Sequence, residues 1–443
     1  MKPLDVEETE QFLPDEEQES TPCSVPNTTY WNLIGHHANF RGFILSYIIT
    51  HMGEWLTYLA SLSMLDSGAD FNRISIAILV VCRMLPTTLF SPVGGILADS
   101  YDRRRIMIVL DFIGAAVAFL FLLAYQMDNM VLLYVATIAQ EAVAGVYEPC
   151  RSAIVPQLVP LEYVPKATTM SGWVWSVLAA LASSMGGILV ALVGIPLCFL
   201  LDSATYVLSA ILLWTQVNGN YDVTVEAKAA GKNTESSSMI RETWMFLASS
   251  GPWFLLKGCG ATMFGASDVL AVGFAQVDEG LSSERLGAVF ACVGIGCFLG
   301  PGLIQHFFPE ELRVWKWSCV LSFLALATGF LGLSRHGYFW EKLVWTILRA
   351  GGVAVLWINS SLILQTATPN HLLGRVMAVD LALATVGEAV GAMLAGWLQD
   401  YCDFDAEKVA FWLSIESFAW GILWLGYLVC CPRQADGSRT PDT

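Results

Sequence analysis

The sequence predicts an all-α membrane protein of twelve transmembrane helices in two six-helix halves. Three observations predict it. Of 443 residues, 55% are hydrophobic and only 14% charged, and the mean hydropathy is +0.56; a water-soluble domain carries about 25% charged residues. The apolar residues gather into twelve stretches close to the ~20 residues that cross a bilayer. A polar stretch then divides those twelve into six and six, as two similar halves require.

Residues 1–40 read as a disordered acidic cytoplasmic tail. The first 19, MKPLDVEETEQFLPDEEQE, hold eight acids against one lysine, with three prolines by Pro22 and no apolar period. Such a segment buries too little apolar surface to fold, and it lacks the basic start and apolar core of a signal peptide. The amino-terminal half, 41–217, holds spans at 42–65, 74–97, 106–126, 130–153, 168–193 and 197–217. Residues 218–250 form a cytoplasmic linker, NGNYDVTVEAKAAGKNTESSS, and a short amphipathic piece, MIRETWMFLA, suited to lie along the membrane surface. The carboxy-terminal half, 251–431, holds spans at 252–276, 285–308, 314–333, 339–364, 374–399 and 407–430, and 432–443 form a second cytoplasmic tail. Pro86, Pro92, Pro149 and Pro301 lie in or at the ends of spans, where neighbouring helices must satisfy the carbonyls they free.

The distribution of Lys and Arg sets the orientation. With the amino terminus in the cytoplasm, fifteen lie in inside segments, five lie in outside loops, and Arg83, Lys257 and Arg349 fall within spans. Both termini are therefore expected inside, in either a plasma membrane or an endomembrane. The stretch ETEQFL, ending at Leu13, is similar to acidic-dileucine sorting signals, with Phe12 in place of the first leucine. The net charge of −16 is partly the tail's own, and nothing in the chain points to nucleic acid. The eleven cysteines show no metal spacing and read as small core residues. No metal, cofactor or nucleophile–base pattern is found, and no G-x-x-x-x-G-K-[ST] cradle for ATP. The chain is not read as an enzyme.

Charges inside spans are costly and each marks a functional candidate. Glu54, Arg83 and Glu141 lie near mid-depth in spans 1, 2 and 4, with Arg349 and Glu388 at similar depth in spans 10 and 11. They either pair as neutral ion pairs that hold helices together or form a proton or substrate site. His51 lies one turn before Glu54 on the same face and suits a proton relay. Burial disfavours a charge on Glu54 and Arg83 favours one, so Glu54 is expected to exchange a proton. Lys257 and Asp380 lie near span ends, where they can snorkel, and Asp202 is placed close to the outer surface. Asp268, Trp55, Trp175 and Trp357 are candidates to line a central cavity.

One turn is unusually charged. GGILADSYDRRR, from Gly94 to Arg105, joins spans 2 and 3. Its three arginines serve topology, but Asp99, Asp102 and the paired glycines need another reason. Here the sequence resembles the major facilitator superfamily, whose motif in this turn is G-x-x-x-D-R-x-G-R-R. Gly95, Asp99, Arg103 and Arg104 match it; Ser100 stands where a basic residue is usual and Asp102 where glycine is usual. THMGEWLTYLASL, YEPCRSAIVPQLVP and ILQTATPNHLLGRVMAV resemble the branch of macrolide and enterobactin exporters, over roughly residues 40–430. SSMGG at 183–187 departs from the G-P-x-x-G-G of antiporters in span 5, keeping Gly186 and Gly187.

The resemblance implies the major facilitator fold and a latch between the halves. Asp99 would face the amino end of span 11 near Arg375, and Arg103 would pair with Asp111, with Glu148, or with both; Gly95 and Arg104 complete the set. It further implies a secondary active transporter that exports a small organic molecule in exchange for protons, as a monomer in lipid. A uniporter or symporter of a small metabolite is the alternative within transport. A non-transporting receptor or scaffold on the same fold is the alternative outside it.

The orientation is open to direct test. Asn27 of NTT is a glycosylation sequon on the side read as cytoplasmic. It is expected to stay bare in a eukaryotic host, as is Asn359 of NSS inside span 10. Glycan on Asn27, seen as a mobility shift removed by glycosidase, would reverse the orientation.

Overall fold

A computed structural model of the chain describes residues 30–67, 72–160, 163–219, 221, 241, 243–247, 252–277, 280–309, 311–368 and 370–430. A short helix, Tyr30–His36, leads into twelve helices of at least 20 residues among the described residues. The first six are α1 Ala38–Ser67, α2 Arg73–Ser100, α3 Arg103–Gln126, α4 Met130–Leu158, α5 Val164–Val193 and α6 Ile195–Gln216. The second six are α7 Leu256–Ala275, α8 Ser283–Phe307, α9 Leu312–Leu333, α10 Phe339–Ala367, α11 Asn370–Tyr401 and α12 Ala406–Cys430. Ten are long and apolar enough to cross a membrane. α1 is outside those ten because its polar residues, His51 and Glu54 among them, and its two tyrosines lower its hydropathy.

Local chemistry sets the helix starts. Asn72, Asp102, Asn129 and Ser282 each accept a backbone N–H of the following first turn, at 2.9–3.3 Å, which satisfies donors the helix itself cannot. Asp102, at the motif position where glycine is usual, thus serves as the cap of α3. Gly194 reverses the chain between α5 and α6 at φ +84°, a conformation in which a Cβ is strained. A two-residue hairpin, β1 Gln276–Val277 with β2 Gly280–Leu281, joins α7 to α8, an addition to the expected all-helical chain.

Within the amino-terminal half α1 packs on α5 and α6, and α2 on α4; in the other half α7 packs on α11, and α10 on α8 and α9. Small residues allow these approaches, as lipid-embedded helices require. A Cβ on Gly94 would meet the Val146 carbonyl at 2.6 Å, and one on Gly145 the Thr87 carbonyl at 2.6 Å. Gly94 is therefore the packing member of the glycine pair in the charged turn.

The halves join through α2 with α11 and α5 with α8. Hydrogen bonds join them from mid-depth to the end away from residues 30 and 430, the far end; the opposite end is the termini end. Gly187 of α5 approaches α8 so closely that a Cβ would meet Gly287 Cα at 2.7 Å. Ser63 and Ser283 share a hydrogen bond at 3.2 Å. Asp400, the penultimate residue of α11, accepts the backbone N–H of Arg73 at 2.9 Å and of Ile74 at 2.6 Å. It caps α2 from the other half, and the Arg73 guanidinium bonds Gln276 nearby. The termini end is different. Gly95 lies two turns beyond Thr88 on the same face of α2, and a Cβ there would meet nothing within 4 Å. Among the described residues the bundle is closed at the far end and parted at the termini end.

A carboxylate at a helix amino terminus contributes about 0.3–1 kcal/mol, up to ~2 when partly buried. Asp400→Asn is expected to loosen the far end. In a background lacking reactive native thiols, a cysteine at Ser63 should react several-fold faster with a polar maleimide. Unchanged reactivity would show that the cap does not hold the halves together.

Candidate functional site

α1 brings His51, Glu54, Trp55 and Tyr58 to one face through their three- and four-residue spacing. His51 Nδ1 lies 2.8 Å from Glu54 Oε2. The Tyr206 hydroxyl of α6 donates to Glu54 Oε1 at 3.3 Å. Gln140 of α4 donates to the Tyr206 hydroxyl at 3.2 Å and to Asp202 at 3.1 Å, and Thr57 donates to Asp202 at 2.6 Å. A polar chain thus runs from His51 to Thr57 inside the amino-terminal half. Asp202 is fully buried within it, not close to the surface as the sequence reading placed it. It lies two turns into α6 and faces α1 and α4.

Arg83 of α2 links two parts of the site. Its Nε is 3.6 Å from Glu141 Oε1 of α4, and Thr87 donates to the other Glu141 oxygen at 2.8 Å. The guanidinium carbon also lies 3.8 Å from the centre of the Tyr58 ring and 5.3 Å from that of Trp55, a cation–π contact that offsets part of its desolvation.

The carboxy-terminal half meets this cluster at mid-depth. Tyr58 donates across the halves to Asp268 of α7 at 2.9 Å. The Trp55 and Tyr58 rings pack edge-on against Phe290 of α8, at 5.9 and 5.6 Å. Thr88 of α2 and Thr385 of α11 share a hydrogen bond at 2.7 Å. Arg349 of α10 donates to Ser267 at 2.6 Å and lies 5.5 Å from the Phe330 ring. Glu388 of α11 is 5% exposed and forms no hydrogen bond or ion pair among the described residues. The expected Arg349–Glu388 pair is therefore absent. Arg349 is held by Ser267 and Phe330, while the charges that act on Glu388 are Asp268 and, across the interface, Arg83.

Exposure divides the cluster. The side chains of His51, Glu54, Arg83 and Glu141 are 20–26% exposed, whereas Asp268, Arg349 and Glu388 are buried. The amino-terminal half thus presents the more exposed side of the site, and the other half holds its charges buried.

Other predicted residues lie elsewhere. Lys257 and Asp380 do not snorkel: both are buried and pair with each other, with Lys257 also bonding Ser361 at 2.6 Å. Trp357 stands 4.9 Å from that ammonium, towards the termini end, and so serves this pair and not the central cluster. Trp175, Asp99 and Arg375 have side chains outside the described residues, as do the tails, Asn27 and most of the linker. Asn359 is buried in α10 and donates to Ser318 at 2.5 Å.

The latch residues pair differently from the expectation. Arg103 donates to the Ala98 carbonyl at 3.1 Å and the Ala153 carbonyl at 3.1 Å. Glu148 binds Arg151 one turn on, through two hydrogen bonds. Asp111 is buried two turns into α3 and accepts from Ser209 of α6 at 2.7 Å. Arg104 donates to the carbonyls of Leu213 and Trp214 at 3.0 and 2.6 Å, a cation at the carboxy end of α6 where the helix favours one. These bonds all lie within the amino-terminal half.

Sequence reasoning missed Tyr58, Gln140, Tyr206, Ser267, Phe290 and Asp400. Tyr58 had a signal, four residues after Glu54 on the same face. Asp400 had one too, as an acid at a helix carboxy end, where its own helix disfavours it. Among the described residues no group of three or more His, Cys, Asp or Glu could hold a metal ion.

Two six-helix halves around a buried charged cluster define a membrane transport fold. Residues 43–392 match the profile of the Major Facilitator Superfamily, and the chain belongs to that family. It is 24% identical over 367 residues to an uncharacterized MFS-type transporter, YfiS, of Bacillus subtilis, covering 80% of this chain and 86% of the relative. It is 26% identical over 326 residues to the enterobactin exporter EntS of Salmonella choleraesuis, covering 69% and 72%. Among solved structures it is similar to the nucleoside transporter NupG (TM-score 0.69, 12% identity, 88% of this chain and 99% of that one). It is also similar to a bacterial homologue of the iron transporter ferroportin in its inward-facing state (TM-score 0.62, 14% identity, 87% and 98%). At these identities the structural likeness is one of fold.

Proposed function

We propose that the protein is a secondary active transporter that exports a small organic molecule in exchange for protons. One observation carries this reading: a charged, aromatic cluster lies at mid-depth between two halves that touch beyond it and part before it. A site reachable from one side at a time is what alternating access requires. The exporter relatives support the direction, and the fifteen-to-five distribution of Lys and Arg supports termini in the cytoplasm. The parted end then opens to the cytoplasm. The protein works as a monomer in the bilayer.

In this reading Glu54 and His51 carry the proton. Both are reached from the parted end, and they face each other at 2.8 Å. Glu54→Gln keeps the shape and removes the titrating group. In proteoliposomes it is expected to abolish accumulation driven by a pH gradient while substrate exchange at equal pH persists. A variant that still concentrates substrate at the normal proton cost would move coupling to Glu141 or Glu388.

The opposite state is held by the turn between α2 and α3. Asp99 is the penultimate residue of α2 and caps α11 near Arg375 when the cytoplasmic end closes. Asp99→Asn is expected to bias the protein towards the state seen here and to slow transport, without lowering expression. If a cysteine in the cytoplasmic gap keeps its accessibility, Asp99 plays no such part.

A further inference from the structure

The charges of the central site do not balance, and the imbalance has an address. Four carboxylates, Glu54, Glu141, Asp268 and Glu388, gather around two arginines, Arg83 and Arg349, and one histidine. Three carboxylates have partners in the protein: Glu54 has His51 and Tyr206, Glu141 has Arg83 and Thr87, and Asp268 has Tyr58. Glu388 has none among the described residues, although it is more than nine-tenths buried. Both arginines are already engaged, Arg83 by Glu141 and the Tyr58 ring, Arg349 by Ser267 and Phe330. A buried carboxylate without a hydrogen-bonded counter-charge is costly; the cation that acts on it, Arg83, is already shared, which leaves a ligand or a proton to neutralise it.

We propose that the central site takes a small organic cation with an apolar or aromatic body, and that its positive charge is bound by Glu388 together with Asp268. The rings supply the rest of the recognition. Trp55, Tyr58 and Phe290 meet edge to face at 5.6–6.0 Å, with the Tyr58 hydroxyl on Asp268, and aromatic faces attract desolvated cations. Anionic compounds are disfavoured because the carboxylates outnumber the arginines four to two. The charged groups that face Glu388 are Asp268 from α7 and Arg83 from α2. Lys257 and Asp380, on the same two carboxy-terminal helices towards the termini end, neutralise each other. When the cation leaves, a proton is the remaining neutraliser of Glu388, so the two compete for one carboxylate.

The inference rests on the central site being the transport site, and it is tested at equilibrium, without a gradient. The probe is tetraphenylphosphonium, a permanent cation with aromatic arms that carries no exchangeable proton, bound to the purified full chain in neutral detergent. The wild type is expected to bind it and to prefer it to an anionic aromatic sulfonate. Glu388→Gln should weaken binding about tenfold or more, as loss of a buried counter-charge does, while Glu388→Asp keeps most of it. Glu148→Gln, at the rim, should bind as the wild type does. Thermal melting of each variant shows that it is folded, and if Glu388→Gln fails to fold, Asp268→Asn replaces it with the same expected loss. No binding by the wild type, equal binding by the neutralised variant, or a preference for the sulfonate would overturn the inference. Loss of proton coupling in flux with cation binding intact would instead sink the exchange reading alone.

Discussion

A carboxylate of one half completes a helix of the other. The two oxygens of Asp400 accept the first backbone amides of α2, and this junction joins the halves at the far end. α2 and α11 are the long contact between the halves, and they are pinned where the chain is furthest from its termini. Ser63 with Ser283, and Gly187 against Gly287, close the same end on the other side of the bundle. The halves are six-helix bodies with their own internal packing, so fixing one end leaves the other free to part. The open space beside Gly95 is the result.

Mid-depth is an expensive place for charge, and the way each charge is offset shows what the site can do. The Lys257–Asp380 pair is buried and ties α7 to α11, with Ser361 and the Trp357 ring also on the ammonium. Arg83 is shared between Glu141 and the face of Tyr58, and Tyr58 turns its hydroxyl to Asp268 in the other half. A movement of one half on the other must break this relay or carry it along. The exposed wall, with His51 and Glu54, is held by a network within its own half. The amino-terminal half is thus a preset surface, and the contacts that can change lie at the seam.

Much of this was legible in the sequence, and the limits have a physical cause. Length and apolarity place spans to within a few residues, because lipid demands ~20 apolar residues in a row. α5 begins at Val164 and α11 at Asn370, four residues earlier than their apolar cores, since their first turns project past the lipid. Depth was legible as well, and so Glu54, Arg83, Glu141, Arg349 and Glu388 stood out. Rotation about each helix axis was not. Arg349 and Glu388 share a depth, but one turns to Ser267 and the other towards Asp268 and Arg83. Asp202 seemed marginal by position and proves central because α6 directs it at Thr57 and Gln140. Partners such as Tyr58 and Tyr206 are neutral and therefore carry no signal of cost.

The same physics accounts for two acids that sequence reasoning treats very differently. Asp99 lies within a recognisable motif and Asp400 does not, yet each is the penultimate residue of its helix, α2 ending at Ser100 and α11 at Tyr401. An acid there opposes its own helix dipole and is tolerated where another helix presents its amino terminus. α2 and α11 run antiparallel across the seam, so the carboxy end of each runs towards the amino end of the other. Asp400 is engaged on α2 in the structure, and the halves are closed at that end. Rigid halves that rock about a central site cannot close both ends at once. On the proposed alternating-access reading, Asp99 in the charged turn would do for α11 what Asp400 does for α2, each in the state in which its own end is closed.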